Sequence, residues 1–178
     1  MTDLVRLALA CGARKAALLA VDRVVLNEEF RKICENGGCG NYGRCHTCPP
    51  YIGPIGELMA RVRSFESAML YQSICPIADC FDFEGMMEAG AFHAQISRRI
   101  GRALSDSGKE YLHLSGGGCH LCPVCAQKEG LPCRHPDEAL LPLEGYGVDV
   151  YRTAQATDLA YQNGIDTVTF FGLVLYRE

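Results

Sequence analysis

The 178-residue chain has the length of one ordinary domain, and because 48% of its residues are hydrophobic it can bury a core without covalent cross-links. A formal net charge of −4 leaves no basic surplus, which argues against a nucleic-acid binder and favours small molecules or proteins as partners. The sequence contains no apolar run long enough to span a membrane and no signal-peptide pattern, so we expect a single cytoplasmic domain over residues 1–178.

The first half of the chain is predicted to contain helices and strands on both sides of an irregular loop. The predicted elements are a helix over residues 4–20 that is weakened at Gly12, a strand around residues 18–26, a short helix from Asn27 toward Cys34, a helix from Pro54 to about Ser64, and a strand over residues 67–74. Residues 37–50 are too rich in glycine and proline to form a regular helix or a central strand. That segment is therefore predicted to be a loop.

The second half of the chain contains the clearest helical pattern. Residues 84–106 are predicted to form a helix, because apolar side chains recur about every 3.6 residues and Gly108 follows as a stop signal. The other predicted elements are a strand over residues 111–114, a mainly helical segment over residues 143–162, and a closing strand over residues 166–176. Helices alternating with about four strands predict a compact α/β or α+β domain with cysteine-rich loops at the sheet ends.

Cysteine is strongly over-represented, with eleven residues in the chain. Reducing thiol pools prevent structural disulfides from persisting in the cytosol, so this density indicates metal binding or thiol chemistry. Eight of the cysteines form two groups of four, which we call the first run and the second run. The first run is Cys34, Cys39, Cys45 and Cys48, and the second run is Cys119, Cys122, Cys125 and Cys133.

The second run has the spacing C-x2-C-x2-C-x7-C, which resembles the ferredoxin-type arrangement around a [4Fe-4S] cluster. Residues 116–118 are glycines that can bring backbone N–H groups close to sulfur, and Lys128 and Arg134 supply positive charge nearby. Zinc is the alternative, although structural zinc sites usually take two separated cysteine pairs. His120 or His135 could replace one thiolate as a ligand.

The first run has the spacing C-x4-C-x5-C-x2-C and again supplies the four thiols of one metal centre. A second [4Fe-4S] cluster, a zinc ion and unligated buried thiols all remain open for it. The last cysteine of a ferredoxin-type run can bind the other cluster, so Cys48 or Cys133 could serve across the two runs. Outside the runs, we expect Cys11 to pack on the first helix, and we favour the core for Cys75 and Cys80, which could also add ligands or form a redox dithiol.

Four motifs along the chain combine glycine and proline with the cysteines or with acidic residues. They are Gly38-Cys39-Gly40-Asn41-Tyr42-Gly43 with Cys45 and Cys48-Pro49-Pro50; Gly117-Gly118-Cys119 through Cys125-Ala126; Pro132-Cys133-Arg134-His135-Pro136; and Glu144-Gly145-Tyr146-Gly147-Val148-Asp149-Val150. With these motifs the chain resembles a family of cysteine-rich, predicted metal-binding proteins of unknown function, found mainly in anaerobic bacteria and archaea. The resemblance implies metal binding, with iron-sulfur clusters, in a low-potential metabolism. One departure is Leu143-Glu144-Gly145, where the family pattern has Ser-Met-Glu-Ala.

Two clusters in one small domain predict low-potential electron transfer with a redox partner protein. A redox enzyme with an open iron is the first alternative, and its candidate helper residues are Tyr42, His120, His135, Glu144 and Asp149. A carboxylate in a glycine-rich segment is more often a cap or a solvated loop residue, so Glu144 and Asp149 are candidates only. A zinc-stabilised interaction or sensor module is the second alternative. The sequence has no phosphate-binding or dinucleotide-binding glycine motif.

Overall fold

The structure is a computed structural model that describes residues 2–177. Its helices are α1 (Thr2–Ala10), α2 (Glu29–Glu35), α3 (Ile55–Arg63), α4 (Phe83–Ser105) and α5 (Val150–Gln155). Its strands are β1 (Lys15–Ala20), β2 (Ser67–Pro76), β3 (Tyr111–Ser115), β4 (Leu141–Pro142) and β5 (Thr167–Tyr176). These elements form one compact α+β domain, as the sequence predicts. The sheet has one strand more than expected, because β4 is only two residues long.

The five strands form a single mixed sheet in the order β1-β2-β5-β3-β4. The long strands β2 and β5 lie next to each other at its centre, antiparallel, with Leu70 opposite Leu173. β3 pairs antiparallel with β5, whereas the short β4 pairs parallel with the end of β3. The chain between β3 and β4 carries the second cysteine run, so this run lies at the end of the sheet where those two strands meet.

Helices cover both faces of the sheet. Alternate residues of the central strands point to opposite faces, so these strands present apolar side chains on both. On one face, Leu70 and Leu173 pack with α3 residues and with Tyr146. On the other face, Met69 and Val174 pack with α1 and α4. The sheet is therefore buried on both sides.

Helix α4 shows how closely the local sequence determines an element. Its N-cap is Asp82, whose side chain accepts a 2.8 Å hydrogen bond from the backbone N–H of Gly85. Its buried positions include Ile96, Ile100 and Leu104, which recur at the spacing of one helix face. The predicted helix over residues 84–106 is confirmed.

The predicted helix over residues 4–20 is wrong, because α1 ends at Ala10 and residues 15–20 form β1. Gly12 has a φ of +108°, a conformation that ends the helix and turns the chain back toward the sheet. The predicted strand around residues 18–26 accordingly lies earlier in the chain. Apolar content alone does not distinguish a helix from an edge strand in this segment.

The predicted helical segment over residues 143–162 is also wrong. It contains a single 3-10 turn over Glu144–Tyr146 and then the six residues of α5, followed by irregular chain. Gly147 adopts a φ of +75° and separates the two, and Asp149 then caps α5 by accepting a hydrogen bond from the Arg152 N–H.

Among residues 2–177, no helix is long and apolar enough to cross a membrane.

Candidate metal centre

Three thiols of the first run face one cavity, which we call the first cavity. Cys34 lies on α2, and Cys39 and Cys48 lie on the loop between α2 and α3. The cavity has a volume of about 280 Å³, and its wall also includes Asn41 and Glu144. Gly117 and Gly118, from the segment after β3, complete the side that faces the second run.

The four thiols of the second run face another cavity, the second cavity, together with one thiol of the first run. These five residues are Cys119, Cys122, Cys125, Cys133 and Cys45. Arg134 and His135 also line this cavity, which at about 20 Å³ is much narrower than the first. The two runs are therefore divided three to five between the cavities rather than four to four.

Cys45 lies where the two cavities meet. Its thiol hydrogen-bonds with the thiols of Cys119 and Cys48, and these contacts hold the pKa of Cys45 well below its ordinary value. Hydrogen bonding to the Cys45 thiolate, followed by burial, raises the pKa of Cys119 and Cys48. These hydrogen bonds connect three sulfur atoms into one group that joins the runs.

Hydrogen-bond donors point at the sulfur atoms in this region. The backbone N–H and the hydroxyl of Thr47 both contact the Cys45 sulfur, the hydroxyl at 3.3 Å. The Cys119 sulfur accepts hydrogen bonds from the backbone N–H groups of Leu121 and Leu140. Donors of this kind stabilise thiolate ligands and tune the potential of a cluster.

The loops that carry the two runs contact each other at further points. A Cβ on Gly118 would lie 3.3 Å from Asn41 Nδ2, so the absence of a side chain there lets the loops approach closely. His46 Nε2 lies 2.8 Å from the backbone oxygen of Leu131, which joins the first-run loop to the segment before Cys133. These contacts make the two cavities neighbours in one composite site.

A buried cation lies beside the first cavity. Arg31 on α2 is only 6% exposed, and its Nη2 donates to the backbone oxygens of Gly53 and Gly145 at 2.9 and 3.3 Å. Its Nε has no hydrogen-bond partner, and no carboxylate within residues 2–177 pairs with it. The guanidinium lowers the pKa of Cys34, although burial and Cys39 outweigh it and raise that pKa overall. An uncompensated buried charge beside thiols suits an anionic metal centre.

Within residues 2–177, no group of three or more His, Cys, Asp or Glu side chains is arranged to hold a single metal ion. The donor set is nevertheless rich in thiols, N–H groups directed at sulfur, and the buried Arg31 cation. These residues fit an anionic thiolate-bound cluster in their chemistry.

The predicted helper residues lie in different surroundings. Glu144 lines the first cavity, where burial raises the pKa of its carboxyl group. His135 lines the second cavity, and His120 lies beside Gly118. Asp149 serves as the α5 cap and lies 3.7 Å from Arg152, so its role is structural. Tyr42 is exposed and faces neither cavity.

The three cysteines outside the runs line neither cavity. Cys11 is partly buried and packs against the core between α1 and α4, as expected. Cys75 is partly buried at the end of β2. Cys80 is exposed on the loop before α4, so the expectation that it belongs to the core is wrong.

A buried polar network beneath α4 was not anticipated from the sequence. The Tyr71 hydroxyl lies 2.7 Å from Ser97 Oγ and 2.8 Å from His113 Nε2, and Ser97 contacts Ser115 at 2.9 Å. The alternation Tyr111-Leu-His-Leu-Ser115 does signal polar side chains on one face of β3. Nothing in that pattern identifies their partners on other elements.

His93 on α4 extends this polar region. Its Nδ1 lies 2.9 Å from Ser73 Oγ, and its Nε2 lies 3.0 Å from the backbone oxygen of Phe171. Burial lowers the pKa of His93 to about 4. Burial, with a smaller contribution from His93, lowers the pKa of His113 to about 3. Both imidazoles are therefore neutral near pH 7.

Comparison with known proteins agrees with the cysteine-based interpretation at the level of the family. A family model described as "Predicted metal-binding protein (DUF2284)" matches residues 17–176. No curated protein and no solved structure matches the chain. The family match includes both cysteine runs and all five strands except the first two residues of β1. The chain belongs to the DUF2284 family of predicted metal-binding proteins, whose function is unknown.

Proposed function

We propose that this protein binds two [4Fe-4S] clusters, one in each cysteine-lined cavity, and that it acts in low-potential electron transfer. The observation that carries the proposal is the meeting of the two runs: their eight thiols line two adjoining cavities, and Cys45 contacts a thiol on each side. When bound, clusters of this type supply one-electron transfer. Neighbouring centres in one domain suit the relay of electrons from one site to the other.

The spacing of the second run supports a cluster over a zinc ion, because structural zinc sites usually take their cysteines as two separated pairs. The buried Arg31 cation and the N–H groups that donate to the Cys119 sulfur favour an anionic centre, and both a thiolate-bound cluster and a thiolate-bound zinc ion are anionic. Zinc remains the alternative for the narrow second cavity, whose run has only one 3-10 turn, Ala126–Glu129, and relies on the metal for its shape.

Charged side chains near the second run suit a redox partner protein. Arg44, Lys128 and Arg134 are exposed, and Arg134 is held by a 2.9 Å hydrogen bond to the Val124 oxygen and an ion pair with Glu129. Exposed cations beside a redox centre attract an acidic partner and raise the rate of encounter. The partner proposed here is therefore an acidic electron-transfer protein.

A redox enzyme is the second candidate function, and one observation favours it. The first cavity has three thiols, and it also presents the Glu144 carboxyl and the Asn41 carboxamide to the same space. A carrier needs no such polar groups beside its centre, whereas a catalyst does. Under this candidate, the second centre would deliver electrons and the first cavity would hold the small molecule.

Electron counting tests the proposal. Protein purified without oxygen should be reduced at low potential and should then pass about two electrons per chain to a one-electron dye. The double variant Cys122→Ser/Cys125→Ser leaves three thiols in the second cavity and should lower that number to about one, and Cys11→Ser should leave it unchanged, because Cys11 lines neither cavity. An unchanged electron count in the double variant would contradict the assignment of a redox centre to the second run.

A further inference from the structure

The two cavities differ in the number of thiols available to a metal centre. The second cavity has the four cysteines of its own run and Cys45 in addition. The first cavity has only Cys34, Cys39 and Cys48. A [4Fe-4S] cluster has four irons to bind, so the first cavity is one thiolate short of a complete set.

Cys45 lines the second cavity and not the first. Its sulfur hydrogen-bonds with Cys119, with Cys48 and with both the N–H and the hydroxyl of Thr47, and the residue is only 7% exposed. Cys48 lies one turn further on, where its N–H donates to the Cys45 oxygen at 3.0 Å, and its thiol lines the first cavity. The two thiols of this turn therefore contact each other across the boundary between the cavities, and only that of Cys48 lines the first.

The first cavity is roomy, and its mostly apolar wall carries two polar side chains besides the thiols. Glu144 and Asn41 line it, and the wall formed by Gly117 and Gly118 has no side chains to fill the space. Within residues 2–177, Glu144 forms no ion pair. The volume of about 280 Å³ exceeds that of a single water many times over, since one water occupies about 30 Å³ of liquid.

We propose that the first cavity is a ligand-binding site in which Cys34, Cys39 and Cys48 hold a cluster by three of its irons, and a small oxygen-donor ligand binds at the fourth. The ligand class is water or hydroxide, or a small carboxylate that exchanges with it. Asn41 supplies an amide for hydrogen bonding to such a ligand, and Glu144 supplies a carboxyl group. The inference rests on the proposed function, because it requires a cluster in the first cavity.

Limited oxidation tests the ligand count. An iron without a thiolate is lost first, so one equivalent of ferricyanide should remove about one iron per chain from the anaerobic two-cluster protein. A paramagnetic signal of a three-iron cluster should appear, and added ferrous iron should abolish it. Two intact clusters that give no three-iron signal would overturn the inference but leave the proposed function standing. A protein without iron and sulfide would instead refute the proposed function itself.

Matched variants identify the cavity that loses iron. Cys11→Ser should leave the three-iron signal unchanged, because Cys11 lines neither cavity, whereas Cys48→Ser should eliminate the signal. The inference fails if Cys48→Ser preserves the signal. For the ligand itself, the probe is water enriched in oxygen-17, which should broaden the resonance of the reduced first cluster. Unbroadened lines would overturn the assignment of an exchangeable oxygen donor.

Discussion

The ring of Tyr71 lies directly over Gly172 of the neighbouring strand. A Cβ at Gly172 would fall 2.1 Å from Tyr71 Cζ and 2.2 Å from its hydroxyl oxygen. The missing side chain lets the ring cross from β2 over β5 and reach His113 on β3, 2.8 Å away. The glycine therefore makes a hydrogen bond from β2 to β3 possible across the intervening strand β5.

Gly172→Ala should destabilise the protein by about 1–3 kcal/mol, because the added methyl group overlaps a ring that is held by the sheet and by Ser97. The measurement is the free energy of unfolding in urea under anaerobic conditions. Gly56→Ala on α3 is the matched control, since nothing lies within 4 Å of its Cβ position. That variant should be more stable than the wild type by about 0.4–1 kcal/mol. Equal destabilisation by both variants would contradict the account.

The buried histidines make stability depend on pH. In the unfolded chain a histidine has a pKa near 6.5, whereas in the folded protein the pKa is about 4 for His93 and about 3 for His113. The unfolded state thus binds more protons between these values, and stability falls as the pH is lowered from about 7 to about 4. Each histidine contributes up to about 1.4 kcal/mol per pH unit.

His93→Gln separates this effect from acid loss of metal. Glutamine retains polar atoms for Ser73 and the Phe171 oxygen but does not titrate. Thermal midpoints measured at pH 7.5 and pH 5.5 should fall less for the variant than for the wild type. Equal decreases in the thermal midpoints of the two proteins would show that His93 is not buried in its neutral form.

Removing the Arg31 cation should lower both the stability of the fold and the reduction potential of the first centre. Arg31→Met loses the hydrogen bonds to the Gly53 and Gly145 oxygens, which should cost about 1.5–3 kcal/mol because the donor is charged. The reduction potential of the first centre should also decrease, because reduction adds negative charge. Redox titration followed by electron paramagnetic resonance measures the shift, and the exposed Arg23→Met is the control. An unshifted potential would contradict the placement of Arg31 beside the centre.

The fold follows from the sequence where one local signal dominates. The period of α4 and the apolar strands β2 and β5 were predictable because no competing pattern occurs in those segments. Residues 143–162 were misjudged, since a positive φ at Gly147 and the cap at Asp149 override their helical composition. In such segments the backbone conformation of one residue determines where a helix begins or ends, and the periodicity of the apolar residues does not reveal that conformation.

The site was predictable in its residue types but not in its arrangement. Spacing singled out the eight cysteines but left their partition between two centres open, and in the structure Cys48 lines the first cavity whereas Cys45 lines the second. The contact between Cys45 and Cys119 joins distant parts of the chain and leaves no local pattern. The same holds for Arg31, an ordinary helical residue in sequence that becomes a buried cation through tertiary packing.

The content of metal and sulfide tests the central claim most directly. Protein purified and handled without oxygen is to be analysed for iron, zinc and acid-labile sulfide, with the chain concentration measured by amino-acid analysis. Two four-iron clusters predict about eight iron and about eight sulfide per chain, with zinc far below one equivalent. Stoichiometric zinc without sulfide would contradict the account.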